Sequence, residues 1–261
     1  MDNSFLNKVV LITGASSGIG KALAYEFAKN GANVILTGRR FELISLNAKN
    51  ISLKYKKCIA IKCDVTSDGD LEKAVKEGIK TFGKIDVAVA NAGFGLAGNF
   101  EKLKLEDYKH QFETNVFGVL RTIYATLEEL KKTKGSICII GSVNGVVSFS
   151  GGSSAYTMSK FAVRGLIKSL ALELSPYDIS VTHIMPGFVN TEFDSKHEKR
   201  GKEKYSWLKI SAEKAARLIV KAIKDKNLEA ILTRHGKMAV YLEHYTPFIL
   251  RWLSGLFSKI K

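Results

Sequence analysis

Lys8-Val9-Val10-Leu11-Ile12-Thr13-Gly14-Ala15-Ser16-Ser17-Gly18-Ile19-Gly20 passes from an unbroken apolar run into a glycine-spaced turn. A run without polar alternation suits a strand buried on both faces, as in a parallel sheet. Ala22, Leu23, Phe27 and Ala28 then predict a helix that stops at Asn30-Gly31. Strand, glycine turn and helix start form the context that a phosphate-cradling loop needs. Gly14 allows the tight turn, Gly18 lets the backbone approach a pyrophosphate, and Gly20 lets helix and strand pack closely. The helix would turn its free N–H groups and positive dipole end towards the phosphates. The spacing is Gly-x-x-x-Gly-x-Gly and not the Gly-x-Gly-x-x-Gly of the dinucleotide fingerprint.

Working outward, Asn33 to Thr37 reads as a second strand ending at Gly38-Arg39-Arg40. A carboxylate about 20 residues after the glycines would meet ribose hydroxyls, but none occurs before Glu42. Arg39 and Arg40 offer guanidinium forks suited to a 2′-phosphate, which favours NADP(H) over NAD. A solvated arginine pair at a helix start is the other reading. Leu43, Ile44 and Leu46 mark a helix, and Cys58 to Cys63 a third strand. Asp64 and Val65 end that strand, where an adenine edge would be met. Ser67-Asp68-Gly69-Asp70 reads as a helix cap, with its helix running to Gly83. Ile85 to Ala90 is the fourth strand and Asn91-Ala92-Gly93 its turn.

Leu105 to Lys132 forms one long helical pattern with Asn115 set among Phe112, Val116 and Phe117. Asn is disfavoured inside helices, so it marks a kink or water site, unless it faces solvent. Gly135 to Gly141 gives the fifth strand, with Ser142 at its carboxyl end, the edge where open parallel sheets bind ligands. Ile179 to Ile184 leads into Pro186-Gly187-Phe188-Val189-Asn190-Thr191. Ser211 starts another helix and Leu228 to Thr233 makes a last strand. This alternation predicts βαβ units, right-handed crossovers and one parallel sheet, an α/β fold.

Tyr156 and Lys160 lie four residues apart at the head of an apolar-periodic run, Phe161 to Leu174. On a helix they share one face. A free tyrosine has a pKa of about 10. A lysine charge ~4 Å away is worth up to ~4 kcal/mol at an effective dielectric near 20, roughly three pKa units towards phenolate. General acid–base chemistry needs a shift of that size. Two exposed helical residues meeting by chance would show the same spacing.

Together, Thr13-Gly14-x-x-x-Gly18-x-Gly20, Asn91-Ala92-Gly93, Ser142, Tyr156-x-x-x-Lys160 and Pro186-Gly187 resemble the short-chain dehydrogenase/reductase family. The resemblance spans residues 8 to about 192. It implies a Rossmann-like, doubly wound sheet of about seven parallel strands with helices on both faces. It implies a catalytic tetrad of Asn115, Ser142, Tyr156 and Lys160. Cofactor contacts would come from Thr13, Gly14, Ser16, Ser17, Gly18, Ile19, Gly20, Arg39, Arg40, Asp64, Val65 and Asn91 to Gly93. Tyr156 and Lys160 would join them at the nicotinamide end, with Pro186, Gly187, Val189 and Thr191 along the ring. The roles implied are a Tyr156 proton donor, a Ser142 that orients the substrate oxygen, a Lys160 that lowers the tyrosine pKa and holds the ribose, and an Asn115 that anchors a water. Three departures stand out. Gly141 and Ala90 replace a usual Ser and Asn, and Ser142 to Tyr156 is one residue longer than is common, so that loop is expected to bulge.

At 261 residues, 46% hydrophobic and 25% charged, the chain fits one large α/β domain. No apolar run reaches the ~18 residues of a membrane span, and a strand follows so soon after Met1 that no signal peptide is expected. Cys58, Cys63 and Cys138 lie in predicted strands, and an odd number of core-type thiols suits a reducing cytoplasm. The histidines show no metal-ligand spacing. Net charge +15 fits nucleic acid, an anionic membrane, an acidic carrier or simple lysine richness. No basic stretch interleaves with aromatics, so nucleic acid is not an expected partner.

Residues 192–210 are charged and end in Tyr205 and Trp207, a substrate lid or a solvated insertion. In the tail, 239–261, the residues Ile249, Trp252, Leu253, Leu256, Phe257 and Ile260 share a helical face. That face would pack in a protein assembly, lie in a membrane interface through 249–260, or cover the pocket. The function expected is NADPH-dependent exchange of hydride with a carbonyl or secondary alcohol on an apolar, lipid-like substrate. A homodimer or homotetramer is expected, packed through the helices around Asn115 and Lys160. The alternatives are a 3-oxoacyl-carrier reductase and a non-catalytic dinucleotide sensor.

Overall fold

The computed structural model describes residues 4–148, 152–192, 206–246 and 248. Its strands, in chain order, are β1 (Val9–Ile12), β2 (Asn33–Gly38), β3 (Cys58–Lys62), β4 (Val87–Ala90), β5 (Ser136–Ile140), β6 (Ser180–Met185), β7 (Val189–Asn190), β8 (Ile210–Ser211) and β9 (Glu229–Ile231). Seven of them form one sheet in the order β3-β2-β1-β4-β5-β6-β9, every pair parallel. β7 and β8 pair separately, also in parallel. The helices are α1 (Gly18–Lys29), α2 (Phe41–Lys54), α3 (Asp70–Phe82), α4 (Leu105–Phe112), α5 (Gly118–Thr133), α6 (Ser154–Leu174), α7 (Ala212–Lys224) and α8 (Arg234–Tyr245).

Apolar runs such as Val9–Ile12 are continuous because both faces of the sheet are covered. Side chains still alternate. Val10, Ile12, Val34 and Leu36 join Leu23 and Phe27 of α1, Ile44 and Ile51 of α2, and Ile219 and Ile223 of α7. Val9, Leu11, Ile35, Ile137 and Ile139 join Leu71 of α3, Ile123 and Leu130 of α5, and Val163 and Ile167 of α6 on the other side. The doubly wound parallel sheet expected from the sequence is therefore present. β1 is flanked by β2 and β4, which places the topological switch at its carboxyl end. At the opposite edge, buried Asp86 accepts from Lys8 Nζ at 2.9 Å, Lys84 Nζ at 3.0 Å and the Val9 N–H at 2.9 Å. It ties the starts of β1 and β4 together.

Three local expectations change. The pattern from Leu105 to Lys132 is not one helix: a π-turn, Glu113–Phe117, separates α4 from α5. Gly69, at φ +80°, stands at the N-cap just before α3, and no side chain caps the helix; the Asp70 carboxylate accepts from the Asp64 N–H at 3.0 Å. Leu43 and Leu46 face solvent, and α2 is held by Ile44, Asn47, Ala48 and Ile51. Of the expected lid, 193–205 lie outside the described residues. So do 249–261 of the tail, and 149–151 of the loop expected to bulge. No described helix is long and apolar enough to cross a membrane.

Candidate active site

The carboxyl ends of β1 and β4 are stitched by short polar bonds. The Thr13 hydroxyl accepts from the N–H groups of Asn91 at 3.0 Å and Ala92 at 3.1 Å. Asn91 Nδ2 donates to the carbonyls of Thr13 at 2.8 Å and Gly14 at 3.2 Å. This close approach explains two glycines. A Cβ on Gly14, which has φ +66°, would stand 2.8 Å from Ala92 Cα, and one on Gly20 would stand 2.6 Å from the Gly14 carbonyl. Gly18, at φ +56°, faces the Thr191 side chain, which a Cβ would meet at 3.3 Å. Ser17 at the α1 N-cap makes no capping bond, and the first turn carries no acid. The helix N–H donors and the glycine backbone thus fit a dinucleotide pyrophosphate. Ile19 enters α1 and packs on the core.

At the end of β2, Arg40 bends back over the turn. Its Nη2 donates to Ser16 Oγ at 2.8 Å and Ser17 Oγ at 2.7 Å, while Nη1 reaches Glu192 at 3.3 Å. Arg39 is largely exposed, 3.8 Å from Asp64. The Asp64 carboxylate accepts from the Thr66 N–H at 3.0 Å and hydroxyl at 2.8 Å. Val65 is buried beside Gly118, and its carbonyl accepts from Arg121 at 3.4 Å.

Asn115 sits in the π-turn with its side chain 1% exposed. Its Oδ1 accepts from the Phe94 N–H at 3.1 Å. Nδ2 donates to the Phe94 carbonyl at 2.8 Å and to Ser159 Oγ at 3.1 Å. The amide therefore clamps the irregular segment after Gly93 against α6. Ser142 follows β5 and caps the turn Val143–Gly145, accepting from the Asn144 N–H at 3.1 Å. One turn apart on α6, Tyr156 and Lys160 share a face, with the ammonium 5.7 Å from the centre of the phenol ring. Lys160 Nζ donates to the Ile140 carbonyl at 2.9 Å, two residues before Ser142. Burial pulls Lys160 itself down to about 8.

Beyond β6 the turn closes over this edge. The Pro186 carbonyl accepts from the Val143 N–H at 3.0 Å. A Cβ on Gly187 would collide with Thr233 and His235. Val189 is buried in β7, and Thr191 lies opposite Gly18.

A family model described as short chain dehydrogenase matches residues 8–202. The chain belongs to the short-chain dehydrogenase family. A Dictyostelium discoideum "Dehydrogenase/reductase SDR family protein 7-like" is 32% identical, covering 98% of this chain and 84% of that protein. An Arabidopsis thaliana "11-beta-hydroxysteroid dehydrogenase-like 2" is 34% identical over 94% of this chain and 80% of its own. An alcohol dehydrogenase from the archaeon Thermococcus sibiricus, solved with 5-hydroxy-NADP, superposes with a TM-score of 0.76 at 28% identity, covering 87% of this chain and 96% of that one. Membership makes the protein an oxidoreductase of this family, whose fold binds a nicotinamide dinucleotide.

One departure from the common short-chain dehydrogenase pattern has a physical reason here. A side chain at Gly141 would collide with the ring of buried His183 on β6. Sequence reasoning missed several residues that hold this site. Gln111 accepts from the Leu96 N–H and donates to the Phe94 carbonyl, each at 2.7 Å. Ser159 links Asn115 to the Tyr156 carbonyl, and Asn47 donates to the carbonyls of Ala15 and Ser16. Gln111 lies four residues before Asn115, so a polar pair on one helix face was the available signal.

Proposed function

We propose that the protein is an NADP(H)-dependent oxidoreductase acting on a carbonyl or secondary alcohol of an apolar substrate. The observation that carries this reading is the buried Lys160 ammonium, pinned to the end of β5 beside Ser142 and set against the Tyr156 ring. When bound, the nicotinamide supplies the hydride, or accepts it in the reverse direction. Tyr156 gives its proton to the substrate oxygen, and the ammonium of Lys160 favours the phenolate left behind. Ser142 orients that oxygen by a hydrogen bond. Both amide hydrogens of Asn115 are committed to Phe94 and Ser159. They are therefore not free to anchor a water.

Arg40, held over Ser16 and Ser17, supports NADP(H): a guanidinium and two hydroxyls meet where a 2′-phosphate needs donors. The hydroxysteroid name of the Arabidopsis relative supports an apolar substrate class. The test is NADPH oxidation with a panel of apolar ketones. Tyr156→Phe is expected to lower turnover by ~10²–10⁴-fold, and equal rates for the two proteins would end the assignment.

A further inference from the structure

His183 lies on β6 with its side chain fully buried, and neither ring nitrogen has a hydrogen-bond partner among the described residues. Buried imidazoles rarely stay unpartnered without a role. The charged groups facing it are Lys160 and Arg164 from α6 and Glu229 from β9. Glu229 is its register neighbour across the β6–β9 pair, with a carboxylate oxygen 3.6 Å from Nδ1. That is an electrostatic contact and not a formed hydrogen bond. Arg164 donates to the same oxygen at 3.2 Å and keeps the carboxylate charged. Burial holds the imidazole neutral, lowering its pKa against the opposing pull of Glu229.

The carboxylate fixes the polarity of this ring. The neutral tautomer with its proton on Nδ1, towards Glu229, leaves a lone pair on Nε2. Nε2 is the ring atom nearest the open side of Gly141. The peptide joining Ile140 to Gly141 is the one whose carbonyl holds the Lys160 ammonium at 2.9 Å. Its N–H is committed to the Ile184 carbonyl at 2.8 Å. The negative end of the imidazole therefore borders the peptide that carries the lysine, in space vacated by the missing side chain of residue 141.

We propose that His183 is a positioning residue for Lys160, its Glu229-oriented lone pair keeping the ammonium charged at the end of β5. This rests on the reading of Lys160 as part of the reaction, so the first readout needs no turnover. Titration of the Lys160 side chain is followed by NMR of the cofactor-free protein carrying 13C-labelled lysine, its signal assigned by its loss in Lys160→Met. His183→Leu keeps the volume and loses the lone pair. Its Lys160 midpoint is expected to fall by ~0.5–1 pH unit relative to wild type. His183→Gln, which carries an amide oxygen at similar reach, is expected to stay near wild type. Once a substrate is known, the alkaline limb of kcat should move with the same order of variants. A Leu variant with an unchanged midpoint, or Leu and Gln falling equally, would overturn the proposal. Failure of wild type to turn over any ketone or alcohol would instead remove the catalytic reading and leave the titration result standing.

Discussion

Burying the Lys160 ammonium costs stability, a cost that the proposed chemistry would account for. The unfolded lysine holds its proton to about pH 10.5, whereas burial lets the folded one release it from about 8. Between these values the unfolded state binds more protons, so the penalty fades as pH rises. Below about 8 the penalty is present in full. Lys160→Met should therefore raise stability at pH 7 by ~1–3 kcal/mol, less the lost bond to Ile140. Urea denaturation at pH 7 and pH 10 checks this: the gain should shrink at the higher pH. The proposed activity, which depends on the ammonium, should show kcat/KM declining as pH passes about 8. Ser142, Tyr156 and Lys160 were legible as candidates because few residue types perform the proposed chemistry. Gln111, Ser159 and His183 were not, because their roles come from partners far away in sequence.

At the scale of elements, the π-turn Glu113–Phe117 shows why Asn115 is tolerated within a helical pattern. An extra residue in the turn rotates Asn115 out of register, so its amide meets the Phe94 peptide. The sequence pointed to a kink there, but could not supply the partner, which lies 21 residues away. Asn115→Ala would leave the Phe94 N–H and carbonyl each without this bond. It should cost ~2–4 kcal/mol of unfolding free energy. A change under ~0.5 kcal/mol would show that the clamp is not structural. The Asp86 cluster acts likewise between β1 and β4. Burial alone would raise this carboxyl, but the bonds from Lys8, Val9 and Lys84 outweigh it and hold it below the usual range. Its contribution is present above the unfolded carboxylate value near 4 and is lost as pH falls through the folded one. Asp86→Ala should lose roughly 2–4 kcal/mol near neutrality, a deficit that narrows in acid denaturation measurements.

For the molecule as a whole, the proposed cofactor site draws on segments distant in sequence: the turn after β1, Arg40 after β2, Asn91 after β4 and Thr191 after β7. A ligand that bridges them stabilises the folded state by mass action. NADPH at ~100-fold excess over its Kd should add about 2.7 kcal/mol, raising Tm by ~5–10 °C. NADH at equal concentration should raise it less, and Arg40→Ala should remove the difference. Equal shifts in the wild-type protein would overturn the proposed NADP(H) preference.

The sequence by itself determined the strand–helix alternation, the glycine turn and the residue types proposed for the reacting centre. Those follow from local patterns: apolar periodicity, glycine placement and the few side chains able to move protons. Only the tertiary structure decided which groups face one another. It set the Lys160 ammonium on the Ile140 carbonyl, closed Asn115 on Phe94, folded Arg40 over Ser16 and Ser17, and placed the His183 ring where residue 141 has no side chain. Each of these contacts joins separate elements, and its geometry depends on strand order and register, which no single stretch of sequence contains.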